Sequence, residues 1–438
     1  MYQVFLSYID KAGGNFLLVC LNGLLITLSV YLMFYRSHHL SVPPPLLSLV
    51  ILFFVALTVN YEIRPHVFSW LYLNLLLLFF DRHYHDPNRS LVPVVVIMGL
   101  WVNTQPTFIL GWAVVFSYWI GSCLKEKTLR TKASLYSALA VAVCFLNPYT
   151  YRGVLLPFTQ FGFLQESSLF KTLIAEYAPL PFLPQPDDYH FFGKLDLFKP
   201  LFVLQVFRVV LVLLLVIQIV RRKVRIHEII LCSLFFYVNS LAQKNVGYFI
   251  VAVAPVLLKS FESKYPFDEA AKSREGKRAK SSLFVSVRRE LLASPGLLKV
   301  SAVGLSVLCM TFIVRAGTND YYSVHRVNHR FGYRYSNLTL PVRATEYLRE
   351  HQLDGKIFNH LNFGGYLMDH LPQKIFIDAR NEVIGETFAG EYMKTASNEL
   401  IGEVVSKYNP DIAIFPHKEG LSWLNFFMKD TINWRLAY

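Results

Sequence analysis

Glu166, Glu176, Asp187, Asp188 and Asp196 lie in one stretch that Pro179, Pro181, Pro184 and Pro186 stiffen. Carboxylates on such a loop suit a general base or the ligation of a divalent cation. A solvated proline-rich loop is the plainer reading of all but Glu176. Four short polar clusters set in apolar sequence form a second group. They are the run Tyr61 to His66, which holds Glu62, Arg64 and Pro65; the run Trp101 to Pro106, with Asn103, Thr104 and Gln105; Asn147, Pro148 and Tyr149 with Arg152; and Gln243, Lys244 and Asn245. Charge at or within a membrane boundary is a functional hypothesis by default. Arg-Pro and Asn-Pro are also ordinary helix starts and stops, and Arg or Lys side chains snorkel at interfaces. Arg208 stands alone inside an apolar run and suits a buried acid, a lipid phosphate or a bundle-facing position.

Towards the C-terminus, Asn362 precedes Gly364 and Gly365, and the run Phe376 to Arg380 follows. Glycine lets backbone approach closely, and Asp378 falls at the end of an expected strand, where α/β sheets place their sites. Asp378 and Arg380 suit a polar ligand; an internal ion pair that orders the loop suits them at least as well. No His/Cys/Asp cluster has zinc spacing, so no metal site is expected from the motifs. No G-x-S-x-G elbow, P-loop or Gly-rich dinucleotide fingerprint is present either.

The elements that must position these residues are apolar segments. Over the 438 residues, 54% are hydrophobic and 15% aromatic, and a helix of about 20 residues spans roughly 30 Å of hydrocarbon. Ten candidate spans cover roughly 15–35, 44–60, 65–80, 92–103, 106–122, 133–147, 199–220, 227–242, 245–259 and 297–316. Several are short enough to be tilted, broken or re-entrant.

The loops between the spans alternate in charge. Arg36; Arg82 and Arg89; Lys125, Lys127, Arg130 and Lys132; Arg221, Arg222, Lys223 and Arg225; and the basic run 260–296 all fall on one side. The loops on the other side hold far fewer: Arg64, Arg152, Lys171, Lys194 and Lys244. Basic loops stay in the cytoplasm, so both termini and all four polar clusters are expected outside, where the clusters converge on one cavity. The formal net charge of +13 is accounted for by these juxtamembrane loops and their attraction to anionic lipid, which excludes nucleic acid as the expected partner. The five cysteines, Cys20, Cys123, Cys144, Cys232 and Cys309, sit in or at the ends of spans as small core residues, and Met1–Gly14 has no signal-peptide pattern.

The expected organisation is therefore a polytopic α-helical membrane protein with a small C-terminal α/β domain. A helical body at 1–260 carries one long outer excursion at 148–198. A basic cytoplasmic linker follows at 261–296, with a surface-lying amphipathic stretch at 282–292, then a last span at 297–316. The outer domain at 317–438 has strands at Lys356–Phe358, Lys374–Asp378 and Asp411–Phe415. Helices at Val342–His351, 388–407 and 418–429 cover both faces of a small, mainly parallel sheet.

Several runs occur in an order that resembles one bacterial group. They are Arg64-Pro65-His66; Leu100 to Asn103 with Phe108 to Gly111; Leu146 to Tyr149; Ala175-Glu176-Tyr177; Asn362 to Leu367; and Phe376 to Arg380. The group is the GT-C-type membrane glycosyltransferases that use polyprenyl-phosphate-linked sugars. The likeness covers nearly the whole chain. It implies a GT-C-like helical fold, an inner-membrane location and transfer of sugar from a lipid-linked donor on the outer face. In that chemistry a carboxylate acts as base while Arg64, Arg152 and Lys244 offset charge on the departing phosphate, and Glu176 orients acceptor or a divalent cation. The substrate-binding set implied is Arg64, His66, Asn103, Gln105, Asn147, Tyr149, Arg152, Glu176, Lys244 and Asn245. Two departures stand out. Thr104-Gln105-Pro106-Thr107 replaces the His and Gly usual in that turn. Tyr2–Gly14 resembles the stretch after the family's catalytic first loop, leaving Asp10 as its one carboxylate. The expectation is thus a truncated or inactive enzyme beside an active one. The alternative is a non-catalytic scaffold or lipid-binding protein that docks other envelope proteins. A transporter is disfavoured by the lack of an inverted repeat.

Overall fold

The computed structural model describes residues 2–39, 64–129, 131–166, 177–183, 190–191, 194–195, 200–220, 224–258, 341–417 and 420–437, with isolated positions between 307 and 340. The expected span 44–60, the linker 261–296 with its stretch 282–292, and most of the span 297–316 lie outside the described residues. Among the described residues the chain is mostly helical. It divides into two compact units: Met1–Phe161 with Ala175–Ser306, and Gly162–Ile174 with Val307–Tyr438.

The first unit contains helices α1 (Tyr2–His39), α2 (His66–His85), α3 (Val92–Val102), α4 (Ile109–Glu126), α5 (Lys132–Ala142), α6 (Tyr151–Glu166, as far as Phe161), α7 (Pro200–Val220), α8 (Ile226–Leu241) and α9 (Val246–Leu258). A short hairpin pairs β1 (His190–Phe191) with β2 (Lys194–Leu195). Gly14, at φ 59° and ψ −159°, kinks α1 in a conformation that a side chain would strain. The kink folds Tyr2 and Phe5 back onto Phe68, with rings 5.8 and 6.0 Å apart. Beyond it, Ser29, Tyr35 and Arg36 lie alongside Asn74, Arg82 and Asp81, so the rest of α1 runs parallel to α2.

Side-chain contacts give each further helix its sense. Trp101 meets Ser69 and His83 meets the Arg89 carbonyl, so α3 runs against α2. Tyr118 meets Asp81 and Lys125 meets Tyr84, so α4 runs with it. His227 lies by Tyr84 while Ser240 lies by Leu180, so α8 climbs from the Tyr84 end, and α9 descends past Trp70 at Gly247. The Arg82–Arg89, Lys125–Lys132 and Arg225 turns therefore share one end of the bundle. The Arg64, Asn103–Thr107, Asn147–Arg152 and Lys244 turns share the other.

Polarity in this unit is inverted relative to a water-soluble bundle. Val92, Val96 and Leu100 form an exposed stripe on α3, and Val206, Val210, Leu213, Ile217 and Val220 form one on α7. Ser29, Arg36, Asn74, Gln205, Arg208, His227 and Asn239 are buried between helices. Only Tyr2–Met33 and Pro106–Glu126, among the described residues, are long and apolar enough to cross a membrane unaided, so about ten such helices are not found. The boundaries of α3 match the expected span and α5 ends five residues short of 147, but at about 1.5 Å per residue the 11 residues of α3 cover only about half of a hydrocarbon core. Two other expectations are corrected. Residues 148–198 are not one loop, because Tyr151–Glu166 is helical despite Pro157. Arg36 is not a loop residue; α1 extends to His39 and buries it.

The second unit builds β3 (Ile357–Asn359) and β4 (Ile412–Ile414), paired in parallel, with a parallel bridge from Ile357 to Ile375 on the opposite edge. The expected strand 356–358 thus forms one residue later, 411–415 is shortened to Ile412–Ile414, and 374–378 is not a strand but makes a bridge at Ile375. Alternation along them separates two cores. Ile357 and Ile414 pack with Leu348 of α10 (Val342–Glu350) and Leu367 of α11 (Gly364–His370). Phe358 packs with α12 (Asn381–Lys394), α13 (Ile401–Tyr408) and α14 (Leu421–Lys429) through Tyr392, Val404, Val405, Trp423 and Phe427. The Phe358 and Trp423 rings stack at 4.4 Å. The continuous helix expected at 388–407 is interrupted between Lys394 and Ile401, and α11 is an addition to the expected elements.

Candidate functional site

The clustered end of the first unit is held by three knots of hydrogen bonds. In the first, Pro106 opens a 3-10 turn after the extended residue Gln105. The Gln105 Oε1 accepts from Ser69 Oγ at 2.5 Å and Thr107 Oγ1 at 2.9 Å, and Trp101 Nε1 donates to Ser69 Oγ at 2.8 Å. The Tyr248 hydroxyl adjoins Thr107, Ser69 and Gln105 without reaching hydrogen-bond geometry. In the second, Asn103 caps α3 and donates to the carbonyls of Gly99 at 2.8 Å and Leu146 at 3.1 Å, tying this turn to the end of α5. Asn147 closes an Asx turn: its Oδ1 accepts from Tyr149 N at 2.8 Å, and its Nδ2 donates to the Cys144 and Thr150 carbonyls, each at 2.8 Å. A Cβ at Gly153 would sit 2.2 Å from that Oδ1.

The third knot is organised by Arg208. Its guanidinium donates to the carbonyls of Leu180 at 3.2 Å and Pro181 at 3.1 Å and to Ser240 Oγ at 2.6 Å, and lies 5.0 Å from the centre of the Phe236 ring. Leu180 N donates to the Ser240 carbonyl, and Gln243 N to the Ala178 carbonyl. This strap sets the Tyr177 ring 4.0 Å beneath Lys244 Nζ, a cation–π contact. Asn245 Nδ2 donates to the Val238 carbonyl at 2.8 Å. The His66 ring lies 4.8 Å from Trp70, and Trp70 in turn fills the space beside Gly247. No buried acid or lipid phosphate is needed to explain Arg208.

The bundle thus sets His66 beside Trp70 and Gln105 against Ser69, packs Gly247, which follows the Lys244 turn, against Trp70, and joins Asn103 to the Leu146 carbonyl next to Asn147. Asn103, Gln105, Asn147 and Asn245 spend their side chains on holding turns, which the expected substrate-binding role had not included. Tyr149 is 73% exposed. Arg152 is exposed and, among the described residues, its side chain reaches its neighbour Tyr151, at 3.4 Å from the hydroxyl. The Arg64 carbonyl accepts from Val67 N as α2 begins. Glu62 and Glu176 lie outside the described residues. Among the described residues, no group of three or more His, Cys, Asp or Glu is placed to hold a metal ion.

Sequence reasoning missed an interior network near the opposite end. Arg36, 1% exposed, lies 3.6 Å from Asp81 and donates to Asn74 Oδ1 at 3.4 Å and the Val251 carbonyl at 3.3 Å. The Tyr118 hydroxyl donates to Asp81. Its signal was present: a cation, Arg36, which the sequence placed in a loop, and an acid, Asp81, one residue past the expected span 65–80.

In the second unit, the Arg380 side chain grips Asp378 with Nε–Oδ1 at 2.9 Å and Nη2–Oδ2 at 2.6 Å, and Arg380 N donates to the same carboxylate at 2.8 Å. The Arg380 hydrogen bonds hold the Asp378 carboxyl below the usual carboxylate value. Gly364 packs against the Ile377 carbonyl, whereas Gly365 faces open space. Asn362 is exposed and its N–H meets His360 Nδ1 at 3.4 Å. Asn359, which the sequence reading passed over, is buried. It bridges β3 to the next segment by accepting from Phe376 N at 2.9 Å and donating to the Ile377 carbonyl at 2.7 Å. This motif is a loop-ordering unit built from its own residues.

No protein-family model and no curated protein matches the chain.

Proposed function

We propose that this chain is a multi-spanning, GT-C-like protein of a bacterial inner membrane, which binds a polyprenyl-phosphate-linked sugar at the helix ends around Trp70 and Lys244. The observation that carries the membrane reading is the inverted polarity of the first unit. Apolar stripes on α3 and α7 face outwards while Arg36, Asn74, Arg208 and His227 face inwards, the arrangement expected where the surroundings are hydrocarbon. Helices shorter than the bilayer, such as α3, serve as broken or re-entrant segments packed on one side against their neighbours. The separation of basic turns from the Trp70 end supports placing that end outside, with both termini.

Lys244 on its Tyr177 platform, with Arg64 and Arg152, supplies cations for a lipid-linked phosphate. Glu176, the residue before Tyr177, is the carboxylate assigned to acceptor or divalent-cation orientation. A second reading, lipid or envelope-protein binding without catalysis, draws on the commitment of Asn103, Gln105, Asn147 and Asn245 to structural bonds. The experiment is binding and transfer in lipid nanodiscs with a radiolabelled polyprenyl-phosphate sugar. R64Q and K244Q should each weaken donor binding about tenfold, the scale of one charge-assisted contact. Undiminished binding by the double variant would refute the site. Binding with no transfer to any acceptor, unchanged by E176Q, would favour the second reading.

A further inference from the structure

We propose that Lys125 and Arg225, gathered on the Tyr84 ring at the basic end of the bundle, bind the phosphate of an anionic phospholipid headgroup. Three helices build the cluster. Tyr84 lies in the last turn of α2, Lys125 in the last turn of α4, and Arg225 caps the start of α8. Lys125 Nζ lies 4.5 Å and the Arg225 guanidinium carbon 4.7 Å from the centre of the Tyr84 ring. The Tyr84 carbonyl accepts from Lys125 Nζ at 2.6 Å, which fixes the ammonium in place.

His227 closes the inner side, 4.3 Å from Tyr84 and 4.7 Å from Tyr118, because Gly121 lets α4 approach it closely. Two like charges are thus held against one ring, and among the described residues neither makes an ion pair. Two acids of the adjoining turns have partners of their own: Glu228 accepts from Arg225 N at 2.8 Å, and Asp86 pairs with Arg89 at 3.3 Å. Lys125 is exposed and Arg225 half-buried, so a ligand can reach both. A phosphate diester would offset both charges, with its acyl chains on the apolar outer face of the helices. Basic groups between helices at a cytoplasmic boundary meet an anionic leaflet, and this supplies the occupant.

The inference rests on the membrane reading above, and membrane embedding is scored separately, by resistance of each variant to alkaline carbonate extraction. The binding test uses the full chain in neutral detergent, with phosphatidylglycerol, phosphatidylcholine or inorganic phosphate added, read by native mass spectrometry and unfolding temperature. Phosphatidylglycerol should bind and raise the unfolding temperature, while the other two should not. K125Q/R225Q should lower its affinity about tenfold or more. K125R/R225K, which keeps the charges, and K127Q, which removes a basic-end charge off the ring, should retain it. Unchanged affinity in K125Q/R225Q, an equal loss in K127Q, or equal stabilisation by inorganic phosphate would overturn the proposal. If the double variant fails to fold, the exposed-side-chain variant K125Q decides by the same readout.

Discussion

Gly364 and Gly365 are adjacent in sequence and opposite in consequence. A Cβ on Gly364 would lie 2.0 Å from the Ile377 carbonyl oxygen and 2.7 Å from the Asp378 Cα, whereas one on Gly365 meets nothing within 4 Å. Gly364→Ala should destabilise the second unit by about 2–3 kcal/mol. Gly365→Ala, at a helical position, should be neutral or stabilising by up to about 1 kcal/mol. Hydrogen exchange at the β3 amides of the full chain measures both. Asp378 makes a pH prediction. Its folded-state value is depressed by Arg380, so its contribution is fully present above the ordinary carboxylate value of 3.8 and is lost as pH falls through the lower folded value. Asp378→Asn should lower protection around 376–380 near neutral pH and remove that acid-dependent step. An unchanged step in the variant would assign it to another carboxylate.

At the scale of elements, two buried arginines hold helices together in different ways. Arg36 links α1 to α2 and α9 through Asp81, Asn74 and the Val251 carbonyl. Removing one member leaves the other charge uncompensated, so R36M should cost up to about 3 kcal/mol, below the fully buried limit because the Asp81 side chain is 23% exposed. R36M/D81L should lose much less than the two single variants summed, in a double-mutant cycle of detergent-induced unfolding. Additivity would mean that the pair is not coupled. Arg208 instead ties a strap, residues 180 and 181, to α8. R208Q should raise hydrogen exchange across 177–183 while leaving α2–α4 unchanged. R208K should fall between, since a single ammonium cannot reproduce the planar reach to three acceptors.

At the scale of the whole molecule, the basic turns at one end and the polar clusters at the other predict how intact cells present the first unit. In a background with Cys20, Cys123, Cys144, Cys232 and Cys309 replaced, a cysteine at Tyr149 should react with a membrane-impermeant maleimide. One at Lys127 should react only after permeabilisation. The reverse pattern would invert the proposed orientation and place the donor site on the wrong face for a lipid-linked sugar.

What the amino-acid sequence determined by itself is what local patterns encode. Apolar run lengths located α3, α4, α5, α7, α8 and α9 to within a few residues, and short apolar runs located β3 and β4. Loop charge sorted the described turns, Arg36 excepted, onto two ends of the bundle. Only the tertiary structure decided which polar groups are already spoken for. Asn103 closes onto Leu146, Gln105 onto Ser69, Asn147 onto its own turn, and Arg36 onto a carbonyl 215 positions away. A side chain's type announces that it needs a hydrogen-bond partner. Whether that partner is a ligand or a backbone carbonyl depends on which distant segment folds beside it, and no local period or spacing carries that information.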